Sequence, residues 1–307
     1  MDKKAIDYLA GTAKLPAELV EKDMLLHRLL LDLCADKMFR GCYAFKGGTC
    51  LTKCHYGYYR FSEDLDFTFL KQGLLGGSGK QARRAVSAEL KHIIPLLEGA
   101  AASAGLDFKP DKGDKRYAEF GGGNRFATFK LWYDSPTMGR PQFIKVQVNF
   151  AEKLLFPAKS LRARSFVGVD KKELEFLFPD CAFLADSPEV TAYDAREILA
   201  EKLRAMLTRR GVKARDYLDV YVILGKEGLG LAEMRKSALE KTMFMLKYEK
   251  YQKNLLEKSF GIAPADAEGL LLSEMDMGGF PAFAEEIKGF LSGLKEELLS
   301  ARGNLRA

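Results

Sequence analysis

Two aspartates one residue apart, Asp64 and Asp66, carry the clearest chemical signal in this sequence. They lie in an apolar segment, residues 64 to 70, that is predicted to be a β-strand. Side chains alternate along a strand, so both carboxylates are expected on one face. Two carboxylates on a rigid face suit Mg²⁺, or Mn²⁺ in its place, because these ions take oxygen ligands and keep positions for substrate phosphates. The spacing therefore predicts a Mg²⁺ site with coordination positions left for phosphates.

A glycine turn, Gly47-Gly48-Thr49, precedes the aspartates and follows a short apolar segment predicted as a strand over residues 42 to 46. The turn opens a helix-like segment, and backbone N–H groups at such a position bind phosphate. The turn and the aspartates together indicate a metal-dependent nucleotide site.

A lysine on a helix predicted to start at Asp194 is the next candidate. Lys202 projects from an apolar stripe between Ile198 and Met206, at the helical period of about 3.6 residues. Lysines are rarely buried, so this side chain either extends its ammonium to water or contacts an anionic ligand. The helix position alone does not choose between these interpretations.

Two aspartates share a face of the following helix, which is predicted to start near Lys213. Asp216 and Asp219 lie beside apolar residues, which indicates a buried position or a cleft. The simpler interpretation is an ion pair between Arg215 and Asp219, with Asp216 near a helix N-terminus. Taken alone, the spacing favours this simpler interpretation.

The composition excludes several protein classes. The 307 residues are 47% hydrophobic and 29% charged, which is typical of a globular protein with a sizeable core. A net charge of +6 is compatible with a polyanionic partner.

No apolar run reaches the roughly 18 residues that span a bilayer, so no membrane is expected as a partner. Five scattered cysteines without a C-x-x-C pair, and no secretion signal, predict reduced thiols and a cytoplasmic location.

The hydrophobic pattern predicts an α+β protein whose organisation changes near residue 190. Its first part is predicted to hold helices over residues 16–38 and 80–104, and strands over residues 42–46, 64–70, 115–120, 125–133 and 142–150. Two glycine-rich segments, residues 73–79 and 121–124, are predicted as a loop and a hairpin turn. The pattern after residue 190 is helical. We therefore expect a mixed-sheet domain over residues 1–190 and a helical domain over residues 191–307.

With these motifs in order from residue 21 to residue 224, the chain resembles the AbiEii/AbiGii nucleotidyltransferase-like toxins. This family supplies the toxin of many bacterial and archaeal toxin–antitoxin and phage-exclusion pairs. The resemblance is carried by Glu21-Lys22-Asp23, Lys46-Gly47-Gly48-Thr49 with Leu51 and Lys53, Arg60-Phe61-Ser62-Glu63-Asp64-Leu65-Asp66, the strand from Ile144 to Phe150, Glu197 with Ala200-Glu201-Lys202, and Arg215-Asp216 with Asp219.

The resemblance implies a polymerase-β-like nucleotidyltransferase core with a mixed sheet, followed by a helical region. It implies transfer of nucleotides from an NTP to an RNA 3′ end, best known at tRNA acceptor stems, which blocks translation until a cognate antitoxin intervenes. It also implies roles for individual residues: Gly47, Gly48, Thr49, Lys53 and Ser62 bind the nucleotide, Asp64 and Asp66 hold Mg²⁺, Lys202 contacts phosphate, and Asp216 is the catalytic carboxylate of the last motif. By this resemblance the helical domain contributes Lys202 and Asp216 to the cleft.

One departure from the family pattern affects the expected chemistry. Nucleotidyltransferases of this fold commonly carry a third carboxylate on a neighbouring strand, where this chain has Gln147 and Asn149. An amide cannot accept a proton as a base. Either Asp216 or Glu152 takes that role, or the enzyme relies on metal and positioning, which phosphoryl transfer tolerates. The two amides also leave open a one-metal site or a weakened two-metal site.

Two alternative functions remain open from the sequence. The same core chemistry can nucleotidylate a protein hydroxyl instead of an RNA. The two amides also permit a degenerate module that binds nucleotide without turning it over. Basic residues that are candidates for steering RNA are Lys145, Arg209, Arg210, Lys213 and Arg215.

Overall fold

The structure is a computed structural model that describes residues 2–75, 79–122, 125–166 and 168–306. It divides into two compact units. The sheet unit comprises Met1–Glu152 with Ala158–Tyr193, and the helical unit comprises Lys153–Pro157 with Asp194–Ala307. Within the predicted glycine-rich loop and hairpin turn, residues 76–78 and 123–124 lie outside the described residues.

The described part of the sheet unit contains seven strands in one mixed sheet. They are β1 (Tyr43–Lys46), β2 (Asp64–Phe69), β3 (Ala118–Gly121), β4 (Phe126–Ser135), β5 (Arg140–Asn149), β6 (Lys159–Arg162) and β7 (Glu189–Ala192). Their order across the sheet is β3-β4-β5-β2-β1-β7-β6. The pairs β2–β5 and β1–β7 are parallel, and the other neighbours are antiparallel.

Alternation of apolar and polar residues explains how the central strands are oriented. In β5, Ile144, Val146 and Val148 are fully buried, while the residues between them face the opposite side. Leu65 and Phe67 are buried in the same way on β2, so the carboxylates of that strand lie on the other face. The core thus fixes which side of the sheet carries the polar groups.

The same unit also contains helices. They are α1 (Lys3–Ala13), α2 (Ala17–Ala35), α3 (Lys37–Cys42), α4 (Gly47–Cys50), α5 (Gly79–Ser103) and α6 (Lys171–Leu177). A π-helical segment, Leu51–Tyr56, continues α4.

The predicted single helix over residues 16–38 is wrong at its end. The helix stops at Ala35, and the carboxylate of Asp36 accepts a hydrogen bond of 2.6 Å from the backbone N–H of Phe39. This cap starts a separate helix, because it satisfies an N–H group that the first helical turn leaves without a partner.

The helical unit consists of α7 (Ala195–Thr208), α8 (Ala214–Glu227), α9 (Arg235–Met245), α10 (Glu249–Leu256), α11 (Pro264–Glu268) and α12 (Phe280–Arg306). Asp194 caps α7 by accepting a hydrogen bond of 2.9 Å from the backbone of Arg196. Gly228 ends α8 with a φ of 64°, a conformation that glycine adopts without steric cost. Across the described residues, the helices are all too short or too polar to cross a membrane.

Candidate active site

Asp64 and Asp66 share one face of β2 and are partly exposed, as their spacing predicts. On the parallel neighbour β5, Lys145 is the register partner of Asp64, and Gln147 is the partner of Asp66. The ammonium of Lys145 lies 3.0 Å from Oδ2 of Asp64, and the two side chains are 31% and 26% exposed. Lys145, which the sequence analysis suggested as an RNA contact, is therefore an ion-pair partner of a predicted metal ligand.

The glycine turn lies directly against the second aspartate. Gly47 follows β1 and has a φ of 77°. A Cβ atom at Gly47 would lie 2.5 Å from Oδ2 of Asp66, so any side chain at this position would displace the carboxylate. The predicted phosphate-binding turn and the predicted metal ligand are neighbours in the folded unit.

Two hydroxyl groups connect the turn to the strand of aspartates. The Thr49 hydroxyl donates to the backbone carbonyl of Asp64 over 2.5 Å and lies 2.9 Å from Oγ of Ser62. A Cβ at Gly48 would collide with the guanidinium of Arg60 and the hydroxyl of Ser62. The structure thus brings Gly47, Gly48, Thr49 and Ser62 together beside the aspartates. Their nucleotide-binding role stays a prediction.

Arg60 is a residue to which the sequence analysis assigned no role. It is buried, and it donates a hydrogen bond of 2.7 Å to the backbone carbonyl of Phe61. Its position against Gly48 explains the second glycine of the turn. The sequence indicates the contact between Arg60 and Gly48 only in that the two residues belong to neighbouring motifs.

Gly47→Ala is expected to reduce nucleotidyl transfer by about a hundredfold, because the new methyl group displaces Asp66 by a fraction of an ångström or more. The variant also places a non-glycine residue at positive φ, which costs about 1–2 kcal/mol. Gly105→Ala is the matched control, since Gly105 has a φ of 68° and no heavy atom within 4 Å of its ideal Cβ.

The measurement compares transfer rates and urea unfolding for both variants. Both lose similar stability from the backbone strain, but only Gly47→Ala loses the transfer rate. Equal rates in the two variants would show that the contact between Gly47 and Asp66 has no catalytic consequence.

Lys53, predicted to bind nucleotide, contacts the side chains of Asp23 and Tyr58. Its ammonium lies 2.6 Å from Oδ1 of Asp23 and 2.8 Å from the hydroxyl of Tyr58, and its side chain has no exposed surface. Burial lowers the pKa of Lys53, although the charge of Asp23 offsets part of this effect. The geometry supports a structural contact between the helix α2 and this segment. The nucleotide-binding role of Lys53 stays a prediction.

The two amides on β5 are held by uncharged or buried partners. Gln147 donates to the hydroxyl of Thr128 over 3.2 Å, and Asn149 donates to Oε2 of Glu152 over the same distance. Glu152, one candidate for the general base, is 4% exposed and lies 3.9 Å from the ammonium of Lys46. A buried carboxylate with these partners is poorly placed to accept a proton from a substrate.

In the helical unit, Lys202 binds two carboxylates. Its ammonium lies 2.9 Å from Oδ1 of Asp216 and 2.6 Å from Oδ2 of Asp219. Arg209 also contacts Asp216. The position of Lys202 on its helix predicts contact with water or a bound anion, whereas the structure shows an ion cluster of Lys202, Arg209, Asp216 and Asp219.

The ion cluster controls the acidity of Asp216. Burial raises the pKa of Asp216, but the positive charges of Lys202 and Arg209 outweigh burial, so the pKa lies below the ordinary value of 3.8. A carboxylate with a lowered pKa is a weak base. Asp216 is therefore suited to hold cations in place more than to remove a proton.

Asp216→Asn is expected to cost about 2–3 kcal/mol of unfolding free energy at neutral pH, because two cations lose a buried charged partner. The difference from wild type should shrink as pH falls below 3.8 and through the lower folded pKa of Asp216. This sign follows because the folded chain binds the proton of this group less tightly than the unfolded chain. Urea unfolding between neutral and acidic pH measures the difference, and a pH-independent difference would contradict the assignment.

The chemistry of the donor set fits Mg²⁺ at Asp64 and Asp66. Within the part of the chain that the structure describes, no group of three or more His, Cys, Asp or Glu side chains is arranged as a metal site. Mg²⁺ does not need such a group, because it is commonly held by one or two carboxylates together with substrate phosphates and water. Partly exposed carboxylates on one face leave room for those further ligands.

Comparison with protein families identifies the chain. Residues 28–300 match the family described as the nucleotidyl transferase AbiEii toxin of type IV toxin–antitoxin systems. The chain belongs to the AbiEii family. It is thus a nucleotidyltransferase toxin and an enzyme, as the motifs predicted, and the family description implies an NTP as substrate and an antitoxin as counterpart.

The fold of the chain is similar to that of a solved structure over almost its whole length. MenT4, a nucleotidyltransferase toxin from Mycobacterium tuberculosis H37Rv, matches with 19% identity and a TM-score of 0.55, covering 95% of this chain and 90% of MenT4. JHP933 from Helicobacter pylori is 17% identical, with a TM-score of 0.45 and coverage of 95% and 98%. No curated protein matches the sequence. The match to MenT4 confirms the predicted α+β fold with a mixed sheet and C-terminal helices.

Proposed function

We propose that this AbiEii-family toxin transfers a nucleotide from an NTP to an RNA 3′ end, with the tRNA acceptor stem as its target. The transfer would block translation. The observation that carries the proposal is the placement of Asp64 and Asp66 on one strand face, with the Gly47 turn packed against Asp66. A net charge of +6 supports a polyanionic acceptor.

The sheet unit supplies the groups that bind the triphosphate. The turn of Gly47, Gly48 and Thr49 directs backbone N–H groups at phosphate, and the Ser62 hydroxyl extends that surface. Asp64 and Asp66 would hold Mg²⁺, which neutralises charge on the phosphates when it is bound. The role of these residues is to align the α-phosphorus and to compensate the charge that develops there.

The reaction joins the RNA 3′-oxygen to the α-phosphorus as the bond from that phosphorus to pyrophosphate breaks. The hydroxyl proton leaves to solvent. Neither Glu152 nor Asp216 is a strong candidate base, because the first is buried beside Lys46 and the second has a lowered pKa. Positioning and charge compensation therefore supply most of the rate enhancement in this mechanism.

The family resemblance also assigns roles in the helical unit. We retain as part of the proposal that Lys202 contacts phosphate and that Asp216 is a catalytic carboxylate. The ion cluster supports the role of Asp216 by keeping this carboxylate charged. The Lys202 ammonium contacts both Asp216 and Asp219, so a phosphate would be an additional partner for it. The partner that restrains the toxin is proposed to be a cognate antitoxin encoded beside it.

The test uses NTPs labelled with ³²P at the α-position or the γ-position, each supplied with total tRNA and a cell protein extract. The proposal expects α-label on RNA with at least one of the four NTPs, no γ-label, and a dependence on Mg²⁺ or Mn²⁺. Label on a protein band would instead identify a protein hydroxyl as the acceptor. Nucleotide binding without transfer to either acceptor would identify a degenerate binding module, and both results would overturn the proposal.

A further inference from the structure

Lys145 occupies a position that is unusual for a two-metal site. In such sites, carboxylates surround two divalent ions about 4 Å apart. Here the strand beside β2 presents a lysine opposite Asp64 and an amide, Gln147, opposite Asp66. The lysine ammonium lies 3.0 Å from Oδ2 of Asp64, which is a direct, charge-assisted contact. A cation of the protein itself therefore binds one of the two predicted metal ligands.

We infer that Lys145 is a built-in cation of this site, so that Asp64 and Asp66 together bind one divalent ion and not two. This inference rests on the proposed function, because it concerns the metal that serves nucleotidyl transfer. In this arrangement Asp64 and Asp66 would hold the ion, while the Lys145 ammonium contacts Oδ2 of Asp64. The lysine then supplies, without a second ion, positive charge next to the triphosphate.

The charges on this strand face support a single ion. Asp64 and Asp66 contribute two negative charges and Lys145 one positive charge, so their net charge is −1. Lys46 is the β1 register partner of Asp66, but it also lies beside Glu152, and that pair adds no net charge. One divalent ion turns the net charge positive, and a second would be repelled at short range.

A second lysine, on the neighbouring strand, contacts a different carboxylate. Lys130 on β4 is the cross-strand partner of Lys145, and its ammonium binds Glu119 on β3. The two lysines therefore bind different carboxylates. Because like charges directly opposite each other on paired strands repel, binding of both lysines to the same carboxylate is unfavourable. Gln147 donates its amide to Thr128 and adds no negative charge that would attract a second ion.

Mn²⁺ binding to the full chain, followed by electron paramagnetic resonance without NTP, tests the inference. Wild type is expected to bind one Mn²⁺ per chain. Lys145→Met should bind Mn²⁺ about tenfold more tightly, because a positive charge next to the ion is removed. Lys130→Met is the matched control, since it removes a lysine from the same face and leaves Asp64 paired, and its Mn²⁺ affinity should stay within about twofold of wild type.

A second measurement separates a functional cation from a side chain that only blocks the metal. At saturating Mg²⁺, Lys145→Met should lose about tenfold or more in transfer rate, whereas Lys145→Arg keeps most of it. Thermal unfolding confirms that each variant is folded.

The inference fails if wild type binds two Mn²⁺ per chain, if Lys145→Met leaves the Mn²⁺ affinity unchanged, or if its transfer rate equals wild type. None of these results affects the proposed function, which fails only if wild type transfers no nucleotide to RNA.

Discussion

Asp66→Asn is expected to lower nucleotidyl transfer by about a thousandfold or more, the largest effect of any substitution in the sheet unit. The amide has the shape of the carboxylate but no negative charge, so it keeps the packing against Gly47 and loses the bond to a hard cation. The β5 register partner of Asp66 is Gln147, which has no charge with which to replace it. Transfer of α-labelled NTP to RNA measures the loss.

Asp107→Asn is the control for this prediction. Asp107 is an exposed carboxylate of the same unit that binds Arg116 and the hydroxyl of Tyr117. Its loss of charge should leave transfer within about twofold of wild type, because exposed ion pairs contribute little. If Asp66→Asn retained more than a tenth of the wild-type rate, the assignment of this residue as a metal ligand would be wrong.

The faces of the central strands could be predicted because they depend on local alternation alone. The period of two places Asp64 and Asp66 together, and it places Ile144, Val146 and Val148 in the core, whatever the rest of the chain does. The glycine turn was visible for a similar reason, since its two glycines and threonine are consecutive. The approach of Gly47 to Asp66 was not visible, because it requires the pairing of β1 with β2.

Ion-pair partners could not be predicted, because they join residues that are distant in sequence or on different elements. Lys145 and Arg209 are basic residues of the type that contacts RNA phosphates, yet each binds an aspartate in its own unit. Lys53 and Asp23 come from motifs that the sequence analysis treated separately. A long basic side chain reaches several possible partners, and only the tertiary fold selects one.

The separation of the two predicted domains and the roles of Lys202 and Asp216 stay predictions. The structure adds a physical constraint on the role of Asp216. A carboxylate held by Lys202 and Arg209 is kept ionised, so substitutions at these cations act on the charge of Asp216 as well as on any ligand. Variants of Lys202 therefore require a stability measurement beside each measurement of activity.

Lys241→Met is expected to lower the free energy of unfolding of the helical unit by about 3–5 kcal/mol. Lys241 and Glu197 form an ion pair of 2.7 Å in which neither side chain has exposed surface. The second oxygen of Glu197 accepts hydrogen bonds from the backbone N–H groups of Leu155 and Phe156, at 3.0 Å and 2.8 Å. Removing the lysine leaves a buried negative charge without its cation, and the penalty is the desolvation of that charge.

A double-mutant cycle distinguishes this explanation from a simple packing defect. Glu197→Gln keeps an acceptor for the two backbone N–H groups but leaves Lys241 as a buried cation, so it should also be strongly destabilising. The variant that combines both substitutions buries no net charge and should cost about 2 kcal/mol or more less than the sum of the single variants. Urea unfolding followed by circular dichroism gives all four free energies.

Lys153→Met is the matched control, because it breaks an ion pair of the same unit that is open to water. Lys153 lies 2.9 Å from Glu240, and the two side chains are 43% and 36% exposed. Solvent screening limits its expected cost to less than about 1 kcal/mol. If the buried and exposed pairs cost the same, or if the double variant equals the sum of the singles, then burial of charge does not determine the stability of this unit. The large predicted difference follows from burial alone, since the two pairs have nearly equal N–O distances.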